Sequence, residues 1–97
     1  MGDKLKAVEA RYEELSAQLS SPEVITNRAL FSKFSKEHKD LTEIVATFRS
    51  YRKAKEEFEG AKEIIAAGDP ELASVAQEEY RMLTGEMDGL EKRLKLL

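Results

Sequence analysis

Four basic side chains form the densest cluster of potential ligand-binding groups in this sequence: Arg49, Arg52, Lys53 and Lys55. Guanidinium and ammonium groups spaced this closely can contact the phosphates of a nucleic acid. Tyr51 lies among them but falls at the spacing of an apolar stripe, which assigns it to packing. The alternative interpretation is a solvated helix face, because discontinuous basic runs are common on long helices. The cluster is therefore a candidate RNA-contact site, and a solvated helix face without a ligand is the alternative.

Groups suited to catalysis or metal binding are sparse. His38 is the only histidine, and its stripe spacing relative to Phe34 and Leu41 predicts a packed or half-buried ring. The carboxylates lie on helix faces beside lysines or water, and no pair is set apart for acid–base work. Glycine-rich phosphate loops and cysteines do not occur, which excludes disulfides and thiolate metal sites. We expect no catalytic, cofactor-binding or metal-binding residues, and hence neither an enzyme nor a small-molecule substrate.

The composition restricts the class of protein. Hydrophobic residues make up 41% and charged residues 36% of the 97 residues, with only five Gly and two Pro. This balance is typical of long helices or coiled coils and is too apolar for a disordered tail. No apolar run approaches the roughly 18 residues that span a bilayer, and the N-terminus lacks the apolar core of a signal peptide. We therefore expect a cytoplasmic protein without a membrane partner.

Charge is distributed unevenly along the chain, although the net charge is only −3. Residues 28–55 carry eight basic and three acidic side chains, a net charge of +5. Residues 56–91 carry two basic and eleven acidic side chains, a net charge of −9. Such a field can steer a charged partner, but it excludes a uniform nucleic-acid-binding surface.

Apolar residues at spacings of three and four predict three helices, over about residues 3–20, 28–67 and 70–97. A short helical turn is expected over Pro22–Thr26. Opposite charges at i,i+4, such as Lys33 and Glu37, add support to the second helix. The apolar stripe of the first helix is predicted to contain Leu5, Val8, Tyr12, Leu15 and Leu19. That of the second helix is predicted to contain Leu30, Phe34, Leu41, Val45, Phe48, Tyr51, Phe58, Ala61 and Ile65, with Phe31 and Ile44 widening it. That of the third helix is predicted to contain Leu72, Ala76, Tyr80, Leu83, Met87, Leu90, Leu94 and Leu97.

Turn and cap residues separate these helices. Serine before Pro22 can cap the short turn, and Asn27 can cap the long helix. Gly68 suits the left-handed position after a helix, and Asp69 followed by Pro70 suits the start of the next. Because both connections are short, neighbouring helices should run antiparallel.

The predicted fold class is all-α: one helical domain over residues 1–97, forming an elongated antiparallel helical hairpin or three-helix bundle of coiled-coil character. Forty residues of helix extend roughly 60 Å, which leaves much surface and no deep concavity of the kind that binds small molecules. This architecture favours an interaction domain over an enzyme.

Five segments occur in an order that resembles a known family. They are Leu-x-x-Val-Glu-Ala-Arg-Tyr-Glu-Glu-Leu (5–15), Leu-Ser-Ser-Pro-Glu-Val-Ile (19–25), Phe-Ser-Lys-Glu-His-Lys-Asp-Leu (34–41), Asp-Pro-Glu-Leu (69–72) and Leu-Glu-Lys-Arg-Leu-Lys-Leu-Leu (90–97). With this spacing the whole chain resembles the N-terminal domain of bacterial class I peptide chain release factors, within that family closest to release factor 1.

The resemblance implies translation termination: a parent protein that recognises the stop codons UAA and UAG and triggers hydrolysis of peptidyl-tRNA. The family's Gly-Gly-Gln and Pro-x-Thr motifs, which serve hydrolysis and codon reading, do not occur in these residues. The family's N-terminal domain faces the ribosomal stalk base, near protein L11 and its rRNA, and is linked to the class II release factor GTPase. The resemblance thus implies a ribosome-docking domain, with a free-standing coiled-coil scaffold or adaptor and the release factor 2 paralogue as alternatives.

Overall fold

Four helices form the fold that the computed structural model describes for residues 2–97. They are α1 (Gly2–Leu19), α2 (Pro22–Ile25), α3 (Arg28–Ala67) and α4 (Pro70–Leu96). No strand occurs among the described residues. The all-α prediction is confirmed, and the helix ends lie close to those expected from the apolar spacing.

Contacts group these helices into two compact units. The first contains α1, α2 and the part of α3 up to Ala46, and the second contains the part of α3 from Thr47 onward together with α4. That residues 1–97 form a single domain stays a prediction.

The second unit is an antiparallel helical hairpin. The Tyr51 hydroxyl donates a hydrogen bond of 2.7 Å to Oε1 of Glu91, and the Phe58 and Tyr80 rings stack with centroids 4.6 Å apart. Later residues of α3 thus meet earlier residues of α4, which confirms the antiparallel prediction for this unit. The side chains buried between the helices are mostly small or aliphatic: Thr47, Phe48, Ala54, Ala61, Ala76, Leu83 and Leu94.

In the first unit, α1 lies against the early part of α3. Tyr12 stacks on His38 with ring centroids 4.2 Å apart, and Arg11 reaches Glu37 across the same pair of helices. The buried apolar side chains of this unit are Leu5, Leu15, Val24 and Val45. Val24 lies on α2, so the short helix contributes to the core as well as to the connection.

The turn between α3 and α4 uses the residues that the sequence indicated. Gly68 has φ 87°, a left-handed conformation that glycine adopts without a Cβ clash. Oδ1 of Asp69 accepts hydrogen bonds from the backbone N–H of Glu71 at 3.0 Å and of Leu72 at 3.3 Å. The predicted cap of α4 is therefore confirmed.

The other two predicted caps differ in outcome. Oδ1 of Asn27 accepts from the N–H of Leu30 at 3.1 Å, which confirms the cap of α3. Ser21 precedes α2, but its side chain makes no capping hydrogen bond. The Ser21 carbonyl accepts from Val24 and Ile25 instead, and Pro22 has no N–H. Few donors remain for the serine hydroxyl, so Ser21 occupies the predicted N-cap position but its side chain does not cap the helix.

Four predicted stripe residues are exposed rather than buried: Leu30, Leu72, Tyr80 and Leu97. Phe31, expected to widen the stripe, is exposed as well. Leu30, Leu72 and Leu97 lie within a turn of a helix end, where periodicity continues but coverage by a neighbouring helix need not. Tyr80 keeps one ring face on Phe58 and leaves 38% of its surface in water.

We predict that Asp69→Ala lowers the free energy of unfolding by about 1 kcal/mol, because two N–H groups at the start of α4 lose their acceptor. Urea unfolding followed by circular dichroism measures this change. Asp69→Asn is the matched control, since asparagine caps as well as aspartate. Equal stability of the alanine and wild-type chains would show that the cap is dispensable.

Candidate functional site

The four basic residues named from the sequence all lie on α3 in the second unit, and all four are exposed. Successive helix residues are rotated by about 100° around the axis. Arg49, Arg52 and Lys53 therefore lie within about 100° of one another, whereas Lys55 lies roughly 60° beyond Arg52. The structure brings three of the residues onto one side, with the fourth at its edge. We call these four residues the basic face.

The basic face points away from the packed side of α3. Ala54 and Ala61, both buried in the hairpin, lie on the far side of the helix from Arg49. Ala54 lies between Lys53 and Lys55 in the sequence, but it is buried whereas both lysines are exposed. Each residue is rotated by about 100° from the one before it, so neighbours in sequence lie on different sides of the helix. Cationic groups are thus held on the outside of a rigid element rather than on a loop.

Arg52 has an aromatic support that the sequence pattern did not assign to it. Its guanidinium carbon lies 5.1 Å from the centroid of the Phe48 ring, within the range of a cation–π interaction. Phe48 is buried, so the ring is a fixed platform one turn before Arg52. Because its aromatic support is fixed, Arg52 loses less freedom on binding an anion than an unsupported arginine would.

Carboxylates mark the end of the basic face. Glu56, Glu59 and Glu63 continue along the same side of α3, one to three turns after Arg52. A shallow depression of about 390 Å³ lies at this change of sign, lined by Arg52, Lys55, Glu56, Glu59, Gly60 and Glu63. The basic face therefore covers only about two helical turns, and phosphate contact along the rest of α3 in this unit is disfavoured.

Tyr51 links the two helices beside the basic face. Its hydroxyl donates to Glu91, and this hydrogen bond, followed by burial and the negative charge of Glu91, raises the pKa of Tyr51. The sequence assigned Tyr51 to packing, and its half-buried ring agrees. Its polar partner was missed, because periodicity along one helix does not reveal which residue faces it on the next.

In the first unit, Arg11 and Glu37 form a two-point ion pair. Arginine Nε lies 2.6 Å from Oε2 and a terminal nitrogen 2.8 Å from Oε1 of Glu37, while the other terminal nitrogen contacts Glu14 at 2.8 Å. The hydrogen bond from Arg11 holds the pKa of Glu37 below its usual value. Lys33, the expected partner, acts on Glu37 only through longer-range attraction. A fork-shaped guanidinium matches a carboxylate better than one ammonium does.

His38 is half-buried, as predicted. The imidazole stacks on Tyr12 with an interplanar angle of 17°, and its Nε2 lies 2.9 Å from Oγ of Ser16. Ser16 was not singled out in the sequence, although it lies one turn after Tyr12. A serine and a histidine at this distance resemble a nucleophile and its base, but here one ring face is covered by Tyr12, and the hydrogen bond joins α1 to α3.

Neither a metal-binding cluster nor a membrane-spanning helix occurs in residues 2–97. No group of three or more His, Cys, Asp or Glu side chains is placed to hold a metal ion. Within the same part of the chain, no helix combines the length and apolar character needed to cross a membrane.

The helical fold carries exposed charged surfaces, and comparison with known families identifies the class of protein. The model of the PCRF domain family matches residues 8–97. The chain belongs to this family.

Curated relatives agree with this assignment. Peptide chain release factor 1 of Syntrophus aciditrophicus and that of Pelobacter propionicus are each 44% identical to this chain over 97 residues. The Clostridium botulinum protein of the same name is 43% identical over 98 residues. In each case the match covers all of this chain and 27% of the relative, in its N-terminal part. The chain thus spans about a quarter of the length of these relatives. No solved structure matches the chain.

We predict that Tyr51→Phe destabilises the chain by about 1 kcal/mol at neutral pH, because the hydrogen bond to Glu91 is lost. The pKa of Tyr51 is raised in the folded state, so this stabilisation is present below about pH 10, the ordinary tyrosine pKa, and is lost as pH rises through the raised value. Urea unfolding at neutral and alkaline pH measures the difference.

The control for this prediction is Tyr80→Phe, which keeps a ring stacked on Phe58 and removes a hydroxyl elsewhere in the same hairpin. It should follow the wild-type pH dependence more closely than Tyr51→Phe does. A stability gap between wild type and Tyr51→Phe that persists unchanged above the tyrosine titration range would contradict the assigned hydrogen bond.

Proposed function

We propose that this chain is the ribosome-docking N-terminal domain of a peptide chain release factor, which terminates translation at the stop codons UAA and UAG. The observation that carries the proposal is the match of the whole chain to curated release factor 1 proteins, together with its membership of the PCRF domain family. These relatives are release factor 1 proteins, which favours release factor 1 over the release factor 2 paralogue.

The proposed partners follow from the same resemblance. They are the base of the ribosomal stalk, with protein L11 and its rRNA, and the class II release factor GTPase. Bacterial ribosomes lie in the cytoplasm, so we infer a cytoplasmic protein. The proposal includes no membrane and no small-molecule substrate.

The basic face supplies a physical basis for contact with ribosomal RNA. Arginine and lysine bind phosphate oxygens through charge-assisted hydrogen bonds, which position a protein on RNA without reading its sequence. Arg49, Arg52 and Lys53 project from the same side of a helix, and Arg52 is supported by Phe48. A helix holds these groups in place before binding, which reduces the ordering cost of docking.

The domain is proposed to bind without performing chemistry. Hydrolysis of peptidyl-tRNA and reading of the stop codon are assigned in this family to the Gly-Gly-Gln and Pro-x-Thr motifs. The 97 residues of this chain contain neither motif. The Ser16–His38 pair lies between α1 and α3 and is assigned to packing of the first unit. On this view the domain contributes to the placement of the factor on the ribosome.

We predict that reversing the basic face, by changing Arg49, Arg52, Lys53 and Lys55 to Glu, weakens ribosome binding on the order of tenfold or more at low salt. Each lost phosphate contact should also reduce the slope of log affinity against log salt by about 0.7–0.9. Binding of the fluorescently labelled chain to purified ribosomes over a salt series measures both quantities.

The matched control reverses four exposed lysines of the first unit: Lys4, Lys6, Lys36 and Lys39. It changes the net charge by the same amount and leaves the basic face intact, so a smaller loss of affinity is expected. Equal losses in the two variants would show that net charge, rather than the basic face, governs binding. Unchanged binding after reversal of the basic face would assign the ribosome contact to another surface.

We also predict that the chain releases no peptide from a terminating ribosome at any concentration, because it carries neither family motif. A release assay with radiolabelled peptidyl-tRNA at a UAA codon measures this, with an intact release factor 1 as the positive control. An excess of the chain should slow release by the intact factor if the two share a docking site. Release by the chain alone would contradict the proposed division of function.

A further inference from the structure

An exposed apolar strip runs along the outer side of α4. Leu72, Val75 and Met82 leave 59%, 68% and 66% of their surface in water. Their spacing of three and seven residues places them on neighbouring positions of one side of the helix. From Leu72 to Met82, ten positions further along α4, the strip is about 15 Å long. Large apolar side chains that line up in this way are typical of a binding surface, whereas single exposed ones are not.

Carboxylates surround the strip. On a helix, the nearest surface neighbours of a residue lie three and four positions before and after it. For Val75 these are Glu71, Leu72, Glu78 and Glu79. No cation lies among them.

Met82 has a similar environment. Its neighbours at the same spacings are Glu78, Glu79, Gly85 and Glu86, again without a cation. Glu78 is drawn into an exposed ion pair with Arg81 at 2.5 Å, and such surface pairs contribute little and exchange readily. We call Glu71, Glu78, Glu79 and Glu86 the acidic rim.

Two glycines continue the same side of α4 beyond Met82. Glycine inside a helix is less favourable than alanine, and Gly85 and Gly89 lie well within α4. A Cβ added at either position would meet nothing within 4 Å, so packing inside this chain does not require them. Small residues four positions apart allow the backbone of another helix to approach closely. Their presence is explained if a partner covers this side.

We propose that the apolar strip and its acidic rim form a docking site for a cationic amphipathic helix of a partner protein. Leu72, Val75 and Met82 contact the partner's apolar stripe, the acidic rim pairs with its lysines and arginines, and Gly85 and Gly89 admit its backbone. The same rim repels RNA and an anionic membrane, since each would bring negative charge to the strip. This site uses residues outside the basic face and stands independently of the proposed function.

The test uses the whole chain and a synthetic probe, a fluorescein-labelled amphipathic helix of about 14 residues built from leucine and lysine. Neutralising the rim with Glu71→Gln, Glu78→Gln, Glu79→Gln and Glu86→Gln should weaken probe binding by about tenfold or more at low salt. The matched control neutralises four exposed carboxylates of α3 in the same unit: Glu56, Glu57, Glu59 and Glu63. It removes the same charge and should change binding by less than about twofold.

Two further variants separate a docking role from a structural one. Val75→Ser with Met82→Ser keeps the rim and should lower the affinity for the probe by about tenfold, because the apolar contact is lost. Gly85→Ala with Gly89→Ala should raise the unfolding midpoint temperature, since alanine favours helix. The same variant should lower the affinity for the probe. A merely structural role of the glycines would not produce these opposite changes.

Amide chemical shifts of the labelled chain locate the probe, and the proposal expects the largest changes at residues 72–89. A probe with glutamate in place of every lysine should not bind. Equal weakening by the rim and control sets, or shifts centred on α3, would overturn the proposal in favour of general attraction to negative charge. Binding of poly(U) RNA to the strip, or self-association of the chain abolished by Val75→Ser with Met82→Ser, would overturn it as well.

Discussion

α3 has to bury apolar side chains against a neighbouring helix in each unit, and the other features of the structure depend on that packing. In the second unit the buried residues are largely alanines and leucines, with Ala54 and Ala61 of α3 and Ala76 and Leu83 of α4 among them. Small side chains let two helix backbones approach closely. A helix pair of this kind encloses little volume, so side chains able to recognise a partner must project into solvent.

Polar contacts between helices then fix which residues lie opposite one another. The hydrogen bond from Tyr51 to Glu91 in the second unit and the two-point ion pair of Arg11 with Glu37 in the first each join residues far apart in sequence. Apolar stripes alone permit sliding by a turn, because every turn offers a similar surface. A pair with a defined geometry favours one alignment, and in the second unit that alignment places Tyr51 of α3 opposite Glu91 of α4.

The sequence predicted the elements well because their signals are local. Gly68, Asp69 and Asn27 act through backbone groups only two or three residues away, and the structure confirms each one. Contacts between helices were harder to predict. The stripe containing Leu72 was expected to be buried along its whole length, and the partner of Glu37 was expected on its own helix. Both depend on how far a neighbouring helix reaches, which periodicity does not contain.

The candidate sites divide in the same way. Clustering in the sequence was enough to find Arg49, Arg52, Lys53 and Lys55, but Phe48 beneath Arg52 emerged only from the structure. The exposed strip on α4 was not predicted, because the sequence pattern placed Leu72 in the apolar stripe of that helix. The basic face and the acidic rim carry opposite charges on one hairpin, so each favours a different class of partner. Each surface also repels the partner that the other attracts.

The small number of buried residues also bears on where this chain resembles its relatives. Among residues 2–97, ten apolar side chains and Thr47 are buried, whereas the positions identical to those of the Syntrophus aciditrophicus relative outnumber them several-fold. Even if every buried residue were identical in the two proteins, most of the identical positions would lie on half-exposed or exposed parts of the helices.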